Sequence, residues 1–196
     1  MKHLLLILFV LMMVTTANGA TFYDTLEVTA VGSIDLWSLI SGTTKVDAVD
    51  HDDDAKYIQE ETQGEKQRYT LENMPAIKGT GTLGEIQEVK VFVRISTNKT
   101  TPIMRSNLEL GGSITNGTTR SCTASWVTHS EVLARPGGGA WTTTNIDDLT
   151  VEVEMTYGIG GRYPQCSRLW VEIKYTDAIP VGDPPFQGMM IPVSIN

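Results

Sequence analysis

The sequence is poor in the side chains that bind zinc or carry out hydrolysis. Its 196 residues include two cysteines and three histidines, whereas a structural zinc site needs about four such ligands. It has no G-x-S-x-G nucleophile motif, and beyond the leading segment its histidines are His51, in a polar loop, and His129, on a strand. We therefore expect no zinc centre, no catalytic triad and no enzyme.

Basic residues are also scarce. Fifteen Lys and Arg stand against 23 Asp and Glu, a net charge of −8 that becomes −9 if Lys2 is lost with a leader segment. Nucleic acids and anionic lipid surfaces are bound through clustered Lys or Arg, which displace counterions from phosphate. The charge balance therefore argues against nucleic acid as a partner.

The longest apolar run is too short to cross a membrane. Residues 4–14 are all apolar, about half of the roughly 20 residues that a membrane-spanning helix needs. Lys2 precedes them and Ala17, Asn18 and Gly19 follow, which is the pattern of a secretory signal with a cleavage site. We predict a signal peptide at residues 1–19, one domain at residues 20–178, no membrane span in the mature chain, and secretion to the extracellular space or cell surface.

The two cysteines, Cys122 and Cys166, are an even pair in a chain expected to be exported, where cysteines usually form disulfides. A bond between them would close a loop of 45 residues, counting both ends, and would stabilise the fold by roughly 4 kcal/mol in the chain-entropy description. We predict this disulfide, with two separate free thiols as the alternative.

Helical spacing is absent from every stretch of twelve residues, and alternation with period two dominates instead. It is clearest at residues 149–157, where apolar side chains alternate with Thr and Glu, as in a half-buried antiparallel strand. Two further strong strands are predicted at residues 88–97 and 167–176. Their inward side chains are Val89, Val91, Val93 and Ile95 in the first, and Leu169, Val171, Ile173 and Tyr175 in the second.

Clusters of Gly, Asn, Thr and Pro separate these strands. Asn116-Gly117 is the strongest hairpin signal, because both residues tolerate the positive φ of a type I′ turn. One short helical turn is predicted at residues 144–149, capped by Thr144 or Asn145. The sequence thus predicts an all-β fold: an antiparallel, two-sheet β-sandwich of jelly-roll kind with at most short helical turns.

An acidic loop offers one candidate for metal binding. Asp50, Asp52, Asp54 and Glu61 stand at positions 1, 3, 5 and 12 of a calcium loop, and hard cations prefer such oxygen ligands. However, Ala55 stands where that loop requires Gly, and the flanks resemble strands rather than helices. Two interpretations stay open: a solvated acidic loop, or a calcium site of another geometry. Apart from this calcium interpretation, the sequence predicts no cofactor.

Two carboxylates on one strand face raise the question of glycoside hydrolysis. Glu152 and Glu154 lie two residues apart, so their side chains are expected roughly 7 Å apart, a spacing that glycosidases use. The strand nevertheless lacks the Asp and the last Glu of the E-[ILV]-D-x-x-E pattern of jelly-roll glucanases. We expect no catalytic residues here.

The parity that buries Leu169 and Val171 turns Trp170 outward, and Phe92 is placed outward in the same way. Outward aromatic rings on a sheet serve to stack on sugar rings or to anchor another protein. A loop or a terminal segment of the same chain that covers the rings is the alternative.

The C-terminal segment differs from the body. Residues 179–196 contain four prolines and carry no charged side chain after Asp183. They form an apolar arm whose interface candidates are Phe186, Met189, Met190, Ile191 and Val193. The arm is either an edge strand of its own sandwich, where Pro is tolerated, or a strand added to a neighbouring subunit.

Two triplets fit the N-glycosylation pattern, one beginning at Asn98 and one at Asn116. Both fall in predicted turns of a chain expected to be exported. Modification depends on a host that has the pathway.

Several segments resemble a module found in phage and environmental-prokaryote structural or surface proteins. Residues 135–142 contain a Pro/Gly turn followed by Trp-Thr, and residues 146–149 end in Asp-Leu. The other segments are the strand at residues 169–175 and, at residues 52–58, an acidic loop that leads into a Tyr-containing strand. The resemblance covers about half of the mature chain. It implies a laminin-G-like or jelly-roll sandwich used in assembly or adhesion, without catalytic residues.

These features predict a non-enzymatic secreted structural protein that associates with copies of itself in a cell-surface or extracellular filament. The alternative is a glycan-binding adhesion module, with or without calcium, that uses Trp170 and Phe92.

Overall fold

The computed structural model describes residues 20–50, 53–74, 83–97, 102–158 and 163–177. The predicted signal peptide lies outside the described residues, as does the C-terminal arm with Phe186, Met189, Met190, Ile191 and Val193. Asp52 and Asn98 lie outside them too. In the part of the chain that is described, no helix is long and apolar enough to cross a membrane.

Strands dominate the described residues. In chain order the elements are β1 (Thr21–Asp35), β2 (Ser38–Ser41), β3 (Tyr57–Gln59), β4 (Lys66–Leu71), β5 (Leu83–Thr97), β6 (Ile103–Leu110), β7 (Ser113–Asn116), β8 (Arg120–Ser121), β9 (Val127–Val132), α1 (Thr143–Asp147), β10 (Thr150–Tyr157) and β11 (Pro164–Asp177). Every strand pairing is antiparallel. The predicted all-β architecture is therefore confirmed.

The strands form two layers that share β1. In layer A, β11 pairs with β5 on one side and with β1 and β3 on the other, while β9 borders β5 and β2 borders β3. In layer B the order is β1, β4, β10, β6 and β7, with β8 also on β6. The strand β1 pairs with β11 through residues 21–27 and with β4 from Val28 onward. One long strand thus joins the two layers.

A single apolar core lies between the layers. The inward side chains predicted for β5 and β11 are buried, and Leu169, Val171, Ile173 and Tyr175 are all 0% exposed. Each fully buried Val or Leu contributes roughly 1.5–3 kcal/mol. Side chains alternate between the two faces of a strand. Burial of these residues therefore turns the residues between them to the outer face of layer A.

The short helix forms close to its predicted place. Helix α1 begins after Thr142, whose hydroxyl accepts a hydrogen bond from the Asn145 amide at 3.2 Å, while the Asn145 side chain accepts one from the Thr142 amide at 3.2 Å. This reciprocal capping box satisfies two backbone donors. The cap is therefore Thr142 rather than the predicted Thr144 or Asn145.

The predicted Asn116-Gly117 hairpin turn is wrong. The β6–β7 hairpin turns at Gly111 and Gly112, whose φ angles are +56° and +87°, as a type I′ turn requires. Gly117 is needed for a different reason. A Cβ there would lie 2.1 Å from Glu131 Oε1 and 2.3 Å from the Ser106 carbonyl oxygen.

The predicted disulfide is not present in the structure, which holds Cys122 and Cys166 as free, buried thiols. Burial raises the pKa of each thiol to about 12. Since the thiolate is the reactive form, both cysteines are expected to be inert in the folded protein.

Thiol reactivity tests this arrangement. At pH 8 a thiol with a pKa of about 12 is ionised in about one molecule in ten thousand, so we expect the native protein to leave a thiol reagent such as DTNB unreacted. After denaturation without reductant, we expect two reactive thiols per chain. A count of zero in denaturant would show that the disulfide forms after all.

Candidate functional site

The outward face of layer A carries an aromatic pair at its centre. Strand register places Glu27, Trp170, Phe92 and Ser130 side by side on β1, β11, β5 and β9. Their inward-facing neighbours on β11 and β5 fill the core, so all four point to the outer face. Trp170 and Phe92 are half-buried and Ser130 is exposed. The structure thus places both predicted aromatic residues outward and brings them into contact.

The two rings stack on one another. The centroids of Phe92 and Trp170 lie 4.8 Å apart, with 10° between the ring planes. The Arg168 guanidinium lies 4.3 Å from the Trp170 centroid, and Lys90 Nζ lies 5.2 Å from the Phe92 centroid. Because each ring covers one face of the other, the cations occupy the two remaining faces. We call Arg168, Trp170, Phe92 and Lys90 the aromatic stack.

The two ends of the aromatic stack are held differently. Arg168 Nη2 donates a hydrogen bond to Glu27 Oε1 at 3.0 Å, which ties this end to β1. Across the described residues, Lys90 Nζ makes no hydrogen bond or ion pair. The Arg168 end is therefore anchored by a charge-assisted contact, whereas the Lys90 ammonium rests on Phe92 alone.

Polar side chains surround the stack on the same face. Glu172 lies opposite Lys90, and Lys174 lies opposite Glu88. Exposed hydroxyl groups are supplied on β9 by Thr128 and Ser130, and Tyr23 and Val132 are each 55% exposed. The surface combines one aromatic ridge with donors and acceptors on both sides.

The acidic loop is partly engaged in an ion pair. Arg94 Nε and Nη2 donate to the two carboxylate oxygens of Asp54 at 2.7 and 2.6 Å, and the Ser167 hydroxyl donates to Asp54 Oδ1 at 3.1 Å. The Arg94 contact holds the pKa of Asp54 below its usual value, against the effect of burial. A guanidinium thus occupies the ligand oxygens that the calcium interpretation assigned to Asp54.

The other predicted calcium ligands are described only in part. Asp50 is half-buried, Glu61 is exposed beyond β3, and Asp52 lies outside the described residues. Among residues that the structure describes, no three His, Cys, Asp or Glu side chains are grouped to hold a metal ion. The calcium site stays a prediction.

Glu152 and Glu154 lie in an ion-pair network on the outer face of layer B. Glu152 Oε1 accepts from Arg68 Nε at 2.7 Å, and Glu154 accepts from Arg105 Nε and Nη2 at 3.0 and 3.1 Å. Lys66 Nζ lies 3.5 Å from Glu152 and 3.6 Å from Glu154. Each carboxylate therefore has two cationic partners.

Asn107 joins the two carboxylates. Its Nδ2 donates to Glu154 Oε2 at 2.9 Å and to Glu152 Oε2 at 3.4 Å, and Asn107 and Glu152 are both 0% exposed. Glycoside hydrolysis needs a proton donor and a second carboxylate that reach the sugar. Here both carboxylates are buried and paired with cations, so we interpret the arrangement as one that stabilises the fold.

Glu109 extends this network along β6. Its carboxylate accepts from the Thr150 hydroxyl at 2.7 Å and from the Gly112 amide at 2.6 Å, and Arg68 Nη1 lies 3.4 Å away. Burial acts to raise the pKa of Glu109, but these hydrogen bonds and the Arg68 charge lower it below the ordinary value. Sequence reasoning missed the network, because its six charged groups come from three strands whose pairing the sequence does not specify.

A cleft opens between the layers beside β9. It is shallow, and its polar wall carries Thr118, Arg120, His129 and Glu131. Glu131 Oε1 accepts from the Thr118 amide at 2.7 Å, and Arg120 lies 3.9 Å from Glu131. Burial, with the nearby Arg120 charge, lowers the pKa of His129. The cleft is thus held by contacts among the residues that line it.

Asn116, the other glycosylation candidate, is exposed at the end of β7.

Comparison with known proteins gives distant structural similarities. No protein-family model matches the chain, and no curated protein matches it in sequence. Among solved structures, the chain is similar to the CBM36-1 domain of a multidomain xylanase from the hindgut metagenome of Trinervitermes trinervoides. That similarity has 12% identity and a TM-score of 0.43, and covers 78% of this chain and 96% of the other.

A second similarity is to a family 29 carbohydrate-binding module in complex with mannohexaose, with 11% identity and a TM-score of 0.41 over 79% of this chain and 92% of the other. Similarities of this size carry no information about what the present chain binds. The laminin-G-like phage module is not among these structures, so that finer resemblance is not confirmed.

Removing one member of the network tests its structural role. We expect Arg68→Met to lower the free energy of unfolding by about 3 kcal/mol, because it leaves buried Glu152 without its main partner. We expect the double variant Arg68→Met with Glu152→Met to return to within about 1 kcal/mol of the wild type, since an apolar pair replaces the ion pair. Urea denaturation measures both. A loss well under 1 kcal/mol in the single variant would contradict the role assigned to Arg68.

Proposed function

We propose that this chain is a non-catalytic, exported glycan-binding domain whose binding surface is the outer face of layer A. The observation that carries the proposal is the aromatic stack: a half-buried pair of rings on paired strands, bordered by charged and hydroxyl side chains. A pyranose ring has an apolar face of C–H groups and a rim of hydroxyl groups. Such a ligand needs an aromatic surface and hydrogen-bonding groups side by side.

The location on paired strands suits this role. Trp170 and Phe92 are held by the register of β11 and β5 and by burial of the residues on either side of each in the chain. Sites built on strands keep their geometry better than sites on loops. The outer face of layer B is less suitable, because the charged side chains of the network already bind one another.

Binding to a glycan array, followed by affinity measurement on the best ligand, tests the proposal. We expect Trp170→Ala and Phe92→Ala each to weaken binding at least about fivefold, a loss near 1 kcal/mol that matches an aromatic contact. Tyr157→Ala is the matched control, since Tyr157 is an exposed aromatic residue of layer B, 42% exposed. Unchanged binding in both variants, or an equal loss in the control, would contradict the proposed surface.

Self-association is a second candidate function, favoured by the edge of layer A. In the described part of the chain β9 pairs with β5 alone, and its Val127 and Val132 are 36% and 55% exposed. An edge strand with free backbone groups and exposed apolar side chains can accept a strand from another chain. The apolar C-terminal segment, residues 179–196, is the proposed donor.

Light scattering tests this second candidate. We expect the chain without its signal peptide to have a mass above that of a monomer, and deletion of residues 186–196 to reduce it to a monomer. Val132→Lys is expected to do the same without shortening the chain, because charge on an edge strand blocks strand addition. A monomeric intact chain would end this candidate.

A further inference from the structure

The aromatic stack runs in one direction across layer A, and its ends are not equivalent. On the β1 side the Trp170 face is closed by Arg168 at 4.3 Å, and Arg168 is itself held by Glu27. To open that face, a ligand would have to break an ion pair and a cation–π contact together. This end is therefore a poor place for a ligand to enter.

The opposite end, on the β9 side, is held much less firmly. Trp170 covers one face of Phe92, so the other face turns toward β9, the next strand of the sheet. There it meets the Lys90 ammonium at 5.2 Å, almost 1 Å farther than the corresponding Arg168 contact. Lys90 makes no ion pair within the described residues. It can leave the ring without losing another partner.

A small residue lies beside that face. Ser130 is directly opposite Phe92 on β9, and it is exposed. Thr128 and Val132 flank it on the same side of the strand, so a large side chain is absent from the row next to the ring. The small side chains of β9 leave space beside Phe92 on the outer face, bounded by Lys90 at one end and at the other by Arg94, whose Nη1 lies 3.4 Å from the Thr128 hydroxyl. We call the space between Phe92, Ser130, Thr128 and Val132 the β9 recess.

Resting on the glycan-binding function, we propose that one pyranose ring of the ligand binds in the β9 recess, with its C–H face against Phe92. Lys90 moves from the ring face and donates hydrogen bonds to the hydroxyl groups of the sugar. Arg168 and Glu27 are positioning residues that hold Trp170 as a fixed backing for Phe92.

The charges around the recess favour a neutral sugar. Lys90 faces Glu172 across the strand pair, Arg94 is paired with Asp54, and Lys174 faces Glu88. The whole chain also carries a net charge of −8. The face therefore offers hydrogen-bond donors and acceptors but no excess of positive charge. A polyanionic glycan would require such an excess.

Filling the recess is the decisive experiment. We expect Ser130→Tyr to weaken binding of the best array ligand at least tenfold, because the new ring occupies the space beside Phe92. The matched control is Thr25→Tyr, which adds the same side chain at an exposed position on the same face but on the β1 side of the stack. We expect its affinity to stay within twofold of the wild type. Circular dichroism and thermal unfolding confirm that both variants fold.

A second variant tests the role of Lys90 without filling space. We expect Lys90→Met to weaken binding roughly tenfold, the loss of a hydrogen bond from a charged donor. Wild-type affinity is expected to change less than twofold between about 50 and 500 mM NaCl, since a neutral ligand has no charge to be screened. A steep loss of affinity with salt would show an anionic ligand and overturn the neutral-sugar assignment.

The outcomes separate this inference from the proposed function. If Trp170→Ala abolishes binding while Ser130→Tyr leaves it intact, or if Thr25→Tyr weakens it as much as Ser130→Tyr, the β9 recess is wrong and the glycan-binding surface stands. If the wild-type protein binds no glycan on the array, both are overturned.

Discussion

The pairing of β11 with its neighbours is the constraint on which the rest of this structure depends. This strand contacts β5 along its whole length and β1 and β3 on its other side, so its register decides which residues of layer A face the core. A slip of one residue would expose Leu169, Val171 and Ile173 and bury Trp170, Glu172 and Lys174. Such a slip would be unfavourable, because it would expose several apolar side chains that are now buried. The outward position of Trp170 therefore follows from core packing.

A local irregularity in the same strand adjoins the aromatic stack. The register between β11 and β5 shifts between Cys166 and Arg168. Cys166 and Leu169 both face the core although they lie three residues apart, and the extra residue of a bulge reconciles the two. Arg168 lies beyond the shift, two residues before Trp170 on the same face, where its guanidinium covers the indole. Without the bulge, strict alternation could not keep both Cys166 and Leu169 in the core.

The two outer faces of the sandwich illustrate two ways of handling polar side chains on a sheet. On layer B, three acidic and three basic groups neutralise one another around Asn107, and Glu152 is fully buried beneath its partners. Burying charges this way is acceptable because every ion has a partner, whereas loss of one partner is costly. On layer A the aromatic rings are half-buried, and within the described part of the chain Lys90 contacts a ring alone. That difference is why we propose layer A, rather than layer B, as the glycan-binding surface.

Much of the fold could be predicted because it depends on local pattern. Alternation identified β5, β10 and β11 with their inward residues, and it placed Phe92 and Trp170 on the outside. The turn between β6 and β7 was misplaced, because Gly111-Gly112 and Asn116-Gly117 both suit positive φ and only the pairing of Leu110 with Ser113 distinguishes them. Gly117 is required by the approach of Glu131 from another strand, a contact with no trace in the local sequence.

The amino-acid sequence by itself determined β5, β10 and β11, their buried faces and the outward direction of the two rings, since these follow from a period of two and from the cost of exposing apolar side chains. The tertiary structure decided which outward residues meet. Contact between Phe92 and Trp170, the closing of one end by Arg168 and Glu27, the small Ser130 at the other, and the pairing of Glu152 with Arg68 all depend on strand order and register. These are set by the packing of residues 38 or more positions apart in the chain, and no local pattern carries that information.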